Sequence, residues 1–430
     1  MIAVLFIILV LCLFIGVPVG FSIGISAMSF LAVSQFTPIT IMAQRLVDGL
    51  NSFPLLALPF FILAGEIMSY GCTPRLMRLA NLFLGKKSGG LCAAGITASA
   101  FFGAISGSGV ACTAAIGGIV GPEMAKSGYK KGYTASVIAA SGTLGIVIPP
   151  SLPMVIYGTS SGTSSGTSIR NIFMAGIVPG LLAIGCLLVM NRIISGRRGY
   201  GGQAENYTKE EKRHIIIDAI PSLMMPLLVL GGVLLGIMTP TESAVIAVVY
   251  AFILAFFVYR ELKLKDLLNL FTSAAVTTSV IMLIIGCAAP FGWLLAINNV
   301  PNIITEAILG LSTNPVVIMA LITVLLLFLG TFMETISIIV LLTPMLLPVV
   351  TKLGFSAVHF GVILILNLAI GGTTPPLAVC LFTACRILGI QIDETFPDIL
   401  YIVGTLILCL ILIIVFPAIT VGLPNLLIGS

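Results

Sequence analysis

The chain has 430 residues, of which 59% are hydrophobic and 8% are charged, and its mean hydropathy is +1.21. Soluble globular domains carry about 25% charged residues, so this composition excludes them and indicates a polytopic membrane protein. Since one span takes about 20 apolar residues, the chain has room for roughly ten to twelve crossings or re-entrant halves. The net charge of +5 comes from basic residues beside membrane ends, which is the positive-inside pattern and does not indicate nucleic-acid binding.

The first part of the chain reads as three spans, at residues 2–16, 18–34 and about 54–70. The polar stretch around 35–52, which carries Arg45 and Asp48, predicts an interfacial helix. Basic residues between Arg75 and Lys87 then place the next loop on the cytoplasmic side.

The segment at about 89–124 is apolar, but its centre reads FFGAISGSGVACT and basic residues lie near both of its ends. An apolar segment that leaves and returns to one side predicts a re-entrant hairpin. The next segment, about 133–158, predicts a broken helix with interruptions at 141–145 and at Pro149-Pro150. Proline removes an amide donor and glycine frees the backbone, so the helix should unwind at both places.

A span at about 173–190 closes the first half of the chain, which covers residues 1–190, and a charged cytoplasmic linker at 191–214 separates it from the second half, residues 215–430. The pattern of the second half predicts three spans, a hairpin with the tip GTFMETIS, a helix broken at GGTTPP and a final span, at about 219–238, 243–259, 268–297, 313–350, 360–388 and 400–421.

The two halves share landmarks at a constant offset of 226 positions, as between Pro122 and Pro348. The same offset relates Lys126 to Lys352, Gly128 to Gly354, Gly145 to Gly371, and Pro149-Pro150 to Pro375-Pro376. A shared offset of this kind indicates a duplication. Because the charge pattern makes the first hairpin enter from the cytoplasm and the second from outside, we predict an all-α protein with two inverted-topology repeats and with both termini in the periplasm.

Paired hairpins and broken helices are typical of secondary transporters, whose sites lie near the membrane midplane. An interrupted helix offers free carbonyls to a cation and free amides to an anionic substrate. We therefore predict Na⁺ ligands at the hairpin tips and helix breaks: Ser106, Ser108, Gly109, Thr143 and Gly145 in the first repeat, and Gly330, Glu334, Thr335, Gly371, Thr373 and Thr374 in the second.

The predicted substrate contacts are Ser108, Pro149, Pro150, Asn367, Pro375 and Pro376. Alternatives stay open at several of these positions. Glu334 suits a cation ligand or a proton carrier but could also be solvated, and Asn367 could be a helix-packing amide. Gly and Ser could also serve only close helix packing. Glu66 is a weaker candidate near the end of a span.

The sequence lacks the motifs of the enzyme classes that were considered. It contains no G-x-x-x-x-G-K-[ST], no H-E-x-x-H and no credible Ser/His pair, so we expect a secondary transporter driven by an ion gradient or by another subunit.

Several long motifs resemble the large membrane subunit of tripartite ATP-independent periplasmic (TRAP) transporters. They are PFFILAGEIM (59–68), G-x-x-SGS followed by VA (103–111), GTLGIVIPPSLPMVIYG (142–158), GIMTPTESA with VAVVYA (236–251), METISII (333–339) and GGTTPP (371–376).

The resemblance implies a sodium-driven importer of the bacterial inner membrane. It also implies an elevator mechanism and organic-acid substrates, of the dicarboxylate or sialic acid class. The expected partners are a separately encoded four-span membrane subunit and a periplasmic substrate-binding protein. The alternative is a self-sufficient sodium- or proton-coupled organic anion symporter.

Overall fold

The structure is a computed structural model that describes residues 2–34, 38–162, 167–201, 207–312 and 314–428. Within those residues it contains helices and no strands, which confirms the predicted all-α class. The helices of the first half are α1 (Ile2–Phe14), α2 (Val19–Ser34), α3 (Thr40–Leu50), α4 (Ala57–Ser69), α5 (Cys72–Leu84), α6 (Gly90–Ser106), α7 (Gly109–Lys126), α8 (Lys131–Val147), α9 (Leu152–Ser160) and α10 (Ile169–Arg198).

The second half repeats this order of elements from the hairpin onward. Its helices are α11 (Lys209–Leu234), α12 (Pro240–Phe252), α13 (Leu264–Ile297), α14 (Val300–Leu311), α15 (Pro315–Gly330), α16 (Thr335–Lys352), α17 (Ala357–Gly371), α18 (Val379–Leu388), α19 (Asp398–Val415) and α20 (Ala418–Ile428). A π-helical turn, Ile253–Val258, extends α12.

Both predicted hairpins and both predicted broken helices are present, as α6–α7 with α8–α9 and as α15–α16 with α17–α18. In the first pair, α8 and α9 are bent by 43° at the proline pair. Within the described residues, six helices are long and apolar enough to cross a membrane singly, and counting each strongly bent pair as one span gives up to nine. The hairpin and broken-helix segments include apolar helices of 10–17 residues, which are shorter than a single span needs.

One predicted interruption is wrong, because residues 141–145 lie inside α8 and do not unwind. The chain leaves the helix only after Val147, where two prolines remove successive amide donors. Thr143 and Gly145 therefore occupy the last two turns of a helix that ends before the break. Gly142 and Gly145 instead provide space, because a methyl group on Gly142 would overlap Thr113 Oγ1.

Other helix boundaries also differ from the sequence expectations. The charged linker is partly helical, since α10 continues to Arg198 and α11 begins at Lys209 behind a capping box made by Thr208 and Glu211. The final span ends at Val415, and Pro417 separates it from α20 because proline cannot continue the hydrogen-bond ladder. Two amphipathic helices, α5 and α14, were not predicted; each precedes a hairpin.

Arg75 joins α5 to the second half of the chain. Its guanidinium lies 3.0 Å from Asp218 on α11, donates to Glu261 at 2.7 Å and covers the ring of Tyr259 at 3.8 Å. The same group donates to the carbonyl of Gly71 at 2.5 Å, which holds the corner between α4 and α5. The Arg75 side chain is 16% exposed, so solvent screens these contacts less than it screens a surface ion pair.

Replacing Arg75 by alanine should lower the stability of the folded chain by about 2 kcal/mol, because two carboxylates then lose their cation in a partly buried site. Thermal unfolding in detergent measures the effect. Arg78→Ala is the matched control, since Arg78 lies on the exposed side of the same helix. Equal unfolding temperatures for the two variants would show that the cluster contributes nothing.

Candidate functional site

A cavity of about 870 Å³ lies where the two hairpin tips meet, and its walls come from both halves of the chain. Ser106, Ser108 and Gly109 line it from the first tip and Gly330, Glu334 and Thr335 from the second. The chain that follows α17 adds Gly372 and the segment 377–380, and α4 and α13 close the opposite side. The volume suits a small organic molecule, for which binding cavities of about 300–1,000 Å³ are usual.

The first tip is a two-residue turn between α6 and α7. Gly107 has φ +60, a left-handed conformation that glycine adopts without strain, and Ser108 caps α7 by accepting the amide of Ala111 at 3.4 Å. The first turn of α7 contains no acidic residue. The positive end of this helix therefore faces the cavity with a neutral cap, an arrangement that favours an anionic group.

The second tip is capped by a carboxylate instead. Glu334 Oε2 accepts the amides of Ile336 at 2.9 Å and Ser337 at 3.2 Å at the start of α16. Glu334 therefore places a carboxyl oxygen at the positive end of the helix while it lines the cavity. These two hydrogen bonds engage Oε2 of Glu334 as the cap of α16. The predicted roles as cation ligand or proton carrier remain predictions.

Each tip packs directly against its own broken helix through a pair of glycines. A methyl group on Gly103 would lie 2.5 Å from Gly145 Cα, and one on Gly371 would lie 2.7 Å from Gly330 Cα. Real Cβ atoms essentially never approach backbone so closely, so the contacts require glycine at Gly103 and Gly371. A methyl group on Gly145 or Gly330 would lie 3.1 or 3.2 Å from the partner Cα, which is tighter than an ordinary contact. The halves thus build the same tip-against-helix contact twice, with Gly145 and Gly371 related by the predicted offset of the repeat.

Three of the four predicted threonine ligands, all except Thr335, share one hydrogen-bonding pattern. Thr143 donates to the carbonyl of Ala140 at 2.8 Å, and Thr373 and Thr374 donate to the carbonyl of Ile370 at 2.7 and 2.8 Å. Because each hydroxyl proton is directed back into the helix, the oxygen lone pairs remain available to accept a cation. The donor set therefore fits Na⁺, although Gly145, Gly371, Thr373 and Thr374 are not part of the cavity wall.

Only one of the predicted substrate residues lies in the cavity wall. Ser108 lines the cavity, whereas Pro149, Pro150, Pro375, Pro376 and Asn367 do not. Asn367 is fully buried and donates to the carbonyl of Thr323 at 3.1 Å, which ties α17 to α15. The prolines instead mark the positions where α8 and α17 have ended.

The sequence analysis did not predict the wall formed by α4 and α13, apart from Glu66 as a weaker candidate. Ile62, Glu66 and Ser69 line the cavity at positions i, i+4 and i+7 of α4, and Glu66 accepts the hydroxyl of Ser273 on α13 at 3.1 Å. A methyl group on Gly65 would lie 2.9 Å from Ser106 Cα, so α4 touches the first tip. The helical spacing of these residues was the signal in the sequence that could have found this face.

Comparisons with known proteins agree with this geometry. Residues 6–419 match the family described as "Tripartite ATP-independent periplasmic transporter, DctM component". The isethionate TRAP transporter permease protein DctMQ of Oleidesulfovibrio alaskensis is 40% identical over 95% of this chain, and the matched region is 64% of that protein.

The sialic acid TRAP transporter large permease protein SiaM of Vibrio cholerae is 37% identical over 97% of both chains. The C4-dicarboxylate TRAP transporter large permease protein DctM of Rhodobacter capsulatus is 34% identical over 99% of both. All three of these relatives are transporter permeases and not enzymes.

Among solved structures, the Alcanivorax borkumensis YdaH transporter, described as having an unusual topology, superposes with a TM-score of 0.61. The match covers 88% of this chain and 89% of that one at 15% identity, so it supports the fold alone. The family match over nearly the whole chain and the relatives of full matching length confirm the resemblance carried by the sequence motifs. The chain belongs to the DctM family, the large permease component of tripartite ATP-independent periplasmic transporters.

Proposed function

We propose that this chain takes up an organic acid together with Na⁺, by an elevator movement of the unit that contains the two hairpins and broken helices. The observation that carries the proposal is the single cavity shared by both tips. A methyl group on Gly109 would lie 3.3 Å from Cys380 Sγ, and the amide of Leu377 donates to the carbonyl of Thr331 at 3.0 Å. The first tip thus contacts the second broken helix, and the second tip is bonded to the same segment.

Two separate sets of oxygen ligands support sodium coupling. In each repeat, the hydroxyls and carbonyls of a tip lie against the end of a helix, as at Gly103 with Gly145 and at Gly330 with Gly371. An ion bound at such a contact would hold the tip in place. Substrate binding would then depend on the ion, which is what symport requires.

The chemistry of the cavity supports an acidic substrate. The start of α7 faces it with no acidic residue in the first turn, which favours an anionic group. Its wall contains no lysine or arginine within the described residues, so the anionic group of the substrate would be held by helix amides, by hydroxyls such as that of Ser108, and by the ions themselves. The names of the three relatives specify isethionate, sialic acid and C4-dicarboxylates. These acids define the panel of candidate substrates for this chain.

We further propose that the chain lies in the bacterial inner membrane with both termini in the periplasm. Its partners would be a small membrane subunit and a periplasmic binding protein that delivers the acid. The elevator movement would take the hairpin-bearing unit past α4 and α13, which face the cavity from the other side.

Uptake into proteoliposomes tests the proposal directly. The chain is reconstituted with the small subunit and the binding protein, and uptake of each acid in the panel is followed under an inward Na⁺ gradient or an equal K⁺ gradient. Uptake of at least one acid with Na⁺ alone is expected. Equal uptake in both gradients would refute sodium coupling, and full activity without the binding protein would favour a self-sufficient symporter.

The topology gives a separate prediction. Single cysteines at Ser164 and Gln203, two positions outside the described residues, should differ in labelling: an impermeant thiol reagent added outside should label the first and not the second. Seven of the nine native cysteines are buried, so wild-type labelling provides a low background. The opposite labelling pattern would reverse the predicted orientation.

A further inference from the structure

A second cavity, of about 280 Å³, lies away from the transport site, between the end of α5 and the start of α11. Its polar wall is formed by Asn81, Lys86, Tyr207 and Lys212, and its apolar wall includes Phe83 and Ile216. The transport mechanism proposed above uses none of these residues.

The charge of this cavity is positive. Among the described residues, two lysines line it and no acidic residue does. Glu210 and Glu211 lie nearby in the first turn of α11, and Glu205 lies nearby in sequence but outside the described residues. Glu211 is engaged elsewhere, because its carboxylate accepts the amide of Thr208 at 2.7 Å and the hydroxyl of Thr208 at 3.0 Å. The described part of the cavity wall therefore offers the two ammonium groups no carboxylate, which suits an anionic ligand.

The apolar side of the cavity continues as an exposed stripe. Phe83 is 66% exposed, and on α11 the residues Ile216, Ile220 and Leu227 are 39%, 47% and 63% exposed. These three positions are spaced i, i+4 and i+11, so they share one face of α11. Since α11 is apolar and long enough to cross the membrane, this face is suited to contact acyl chains.

We propose that the cavity binds the phosphate headgroup of an anionic phospholipid, whose acyl chains lie along the stripe of α11. A basic pocket at the membrane boundary that opens onto an apolar helix face has the chemistry of such a lipid site. The bound lipid connects α5, the helix that precedes the first hairpin, to α11. It therefore stabilises the contact between the two halves of the chain near the Arg75 cluster.

Thermal unfolding of the full chain in detergent tests this site. Phosphatidylglycerol is titrated against wild-type protein and the Lys86→Gln/Lys212→Gln variant, with phosphatidylcholine as the neutral lipid. A lysine near the membrane surface contributes a factor of about five to the binding of anionic lipid, so the double variant should need about thirty-fold more phosphatidylglycerol for the same stabilisation. The single variants should each show about a fivefold loss, and they keep the test available if the double variant is not recovered folded.

Lys130→Gln/Lys131→Gln is the matched control, because it removes the same charge from two exposed lysines at the start of α8. Unchanged lipid dependence of the Lys86/Lys212 variants, or an equal loss in the control, would overturn the proposal. Equal stabilisation by inorganic phosphate would also overturn it, since the ligand would then be a free anion. Loss of the small membrane subunit on co-purification, without a change in lipid binding, would assign the surface to that partner instead.

Discussion

Gly371→Ala should abolish most of the uptake, whereas Gly118→Ala, on the exposed side of α7, should leave it nearly unchanged. A methyl group on Gly371 would lie 2.6 Å from the carbonyl carbon of Gly330 and 2.8 Å from its oxygen, and both atoms belong to the backbone of the second hairpin. The backbone cannot give way as a flexible side chain would, so the tip must move away from the helix end. Overpacking of this kind costs about 1–3 kcal/mol.

Gly118 is the matched control, because it is also a helical glycine and does not line the cavity. A methyl group on Gly118 would meet no atom within 4 Å. We expect uptake by the Gly371 variant to fall more than tenfold, with an unfolding temperature several degrees lower. Similar behaviour of the two variants in uptake and unfolding would contradict the role of the tip contact.

The Gly371 contact also marks what the sequence could predict. Both hairpins and the positions of Gly145 and Gly371 were predicted from the tandem prolines, the Gly- and Ser-rich tips and the common offset. This succeeded because the glycines and prolines that interrupt helices recur at the same positions in both repeats. The sequence could not tell that Gly142 and Gly145 remain helical. Glycine permits both an unwound backbone and a close helix contact, and only the neighbouring helices, α7 at Gly142 and α6 at Gly145, decide between them.

Other features depend on tertiary contacts that leave weak signals in one sequence. Helices α5 and α14 were not predicted because helices were sought as long apolar runs. Both helices are short and amphipathic, so they do not form such runs. The wall of α4 was undervalued because Glu66 reads as a lone acid near a span end, while its contact with Ser273 joins residues more than 200 positions apart. Asn367 had two open interpretations, and its bond to the carbonyl of Thr323 shows the packing contact without testing substrate binding.

The two tips differ in a way that bears on coupling. The first is capped by a neutral hydroxyl and the second by a carboxylate, so the repeats share a backbone but differ in charge at the cavity. A substrate anion is therefore better placed at Ser108 than at Glu334. Na⁺ bound in the second repeat would also lie closer to the carboxyl group of Glu334. This difference makes Ser108 and Thr373 the most informative pair to change.

Thr373→Ala and Ser108→Ala should each weaken the stabilisation of the purified chain by NaCl relative to KCl at equal ionic strength. A ligand that binds only the folded state contributes about 2.7 kcal/mol at a hundredfold excess over Kd. If the loss of one hydroxyl ligand raises the Kd tenfold, the contribution falls to about 1.4 kcal/mol under the same conditions. The folded yield should stay nearly unchanged, because Thr373 donates only to a carbonyl within its own helical turn.

Two residues with the same local bonding serve as controls. Thr383 donates to the carbonyl of Val379 at 2.8 Å on the exposed side of α18, and Ser356 caps α17 as Ser108 caps α7. Alanine at either control should lower the stability of the folded chain by as much as the loss of the helix bond or of the cap alone does. It should not change the stabilisation by NaCl relative to KCl.

An unaltered sodium response in both Thr373→Ala and Ser108→Ala would refute the ion sites at the tips and breaks while leaving the family assignment intact. If wild-type protein itself shows no preference for sodium, the coupling ion binds only in the assembled transporter or is a proton. Glu334→Gln would then be the next variant to assay for uptake across a range of pH.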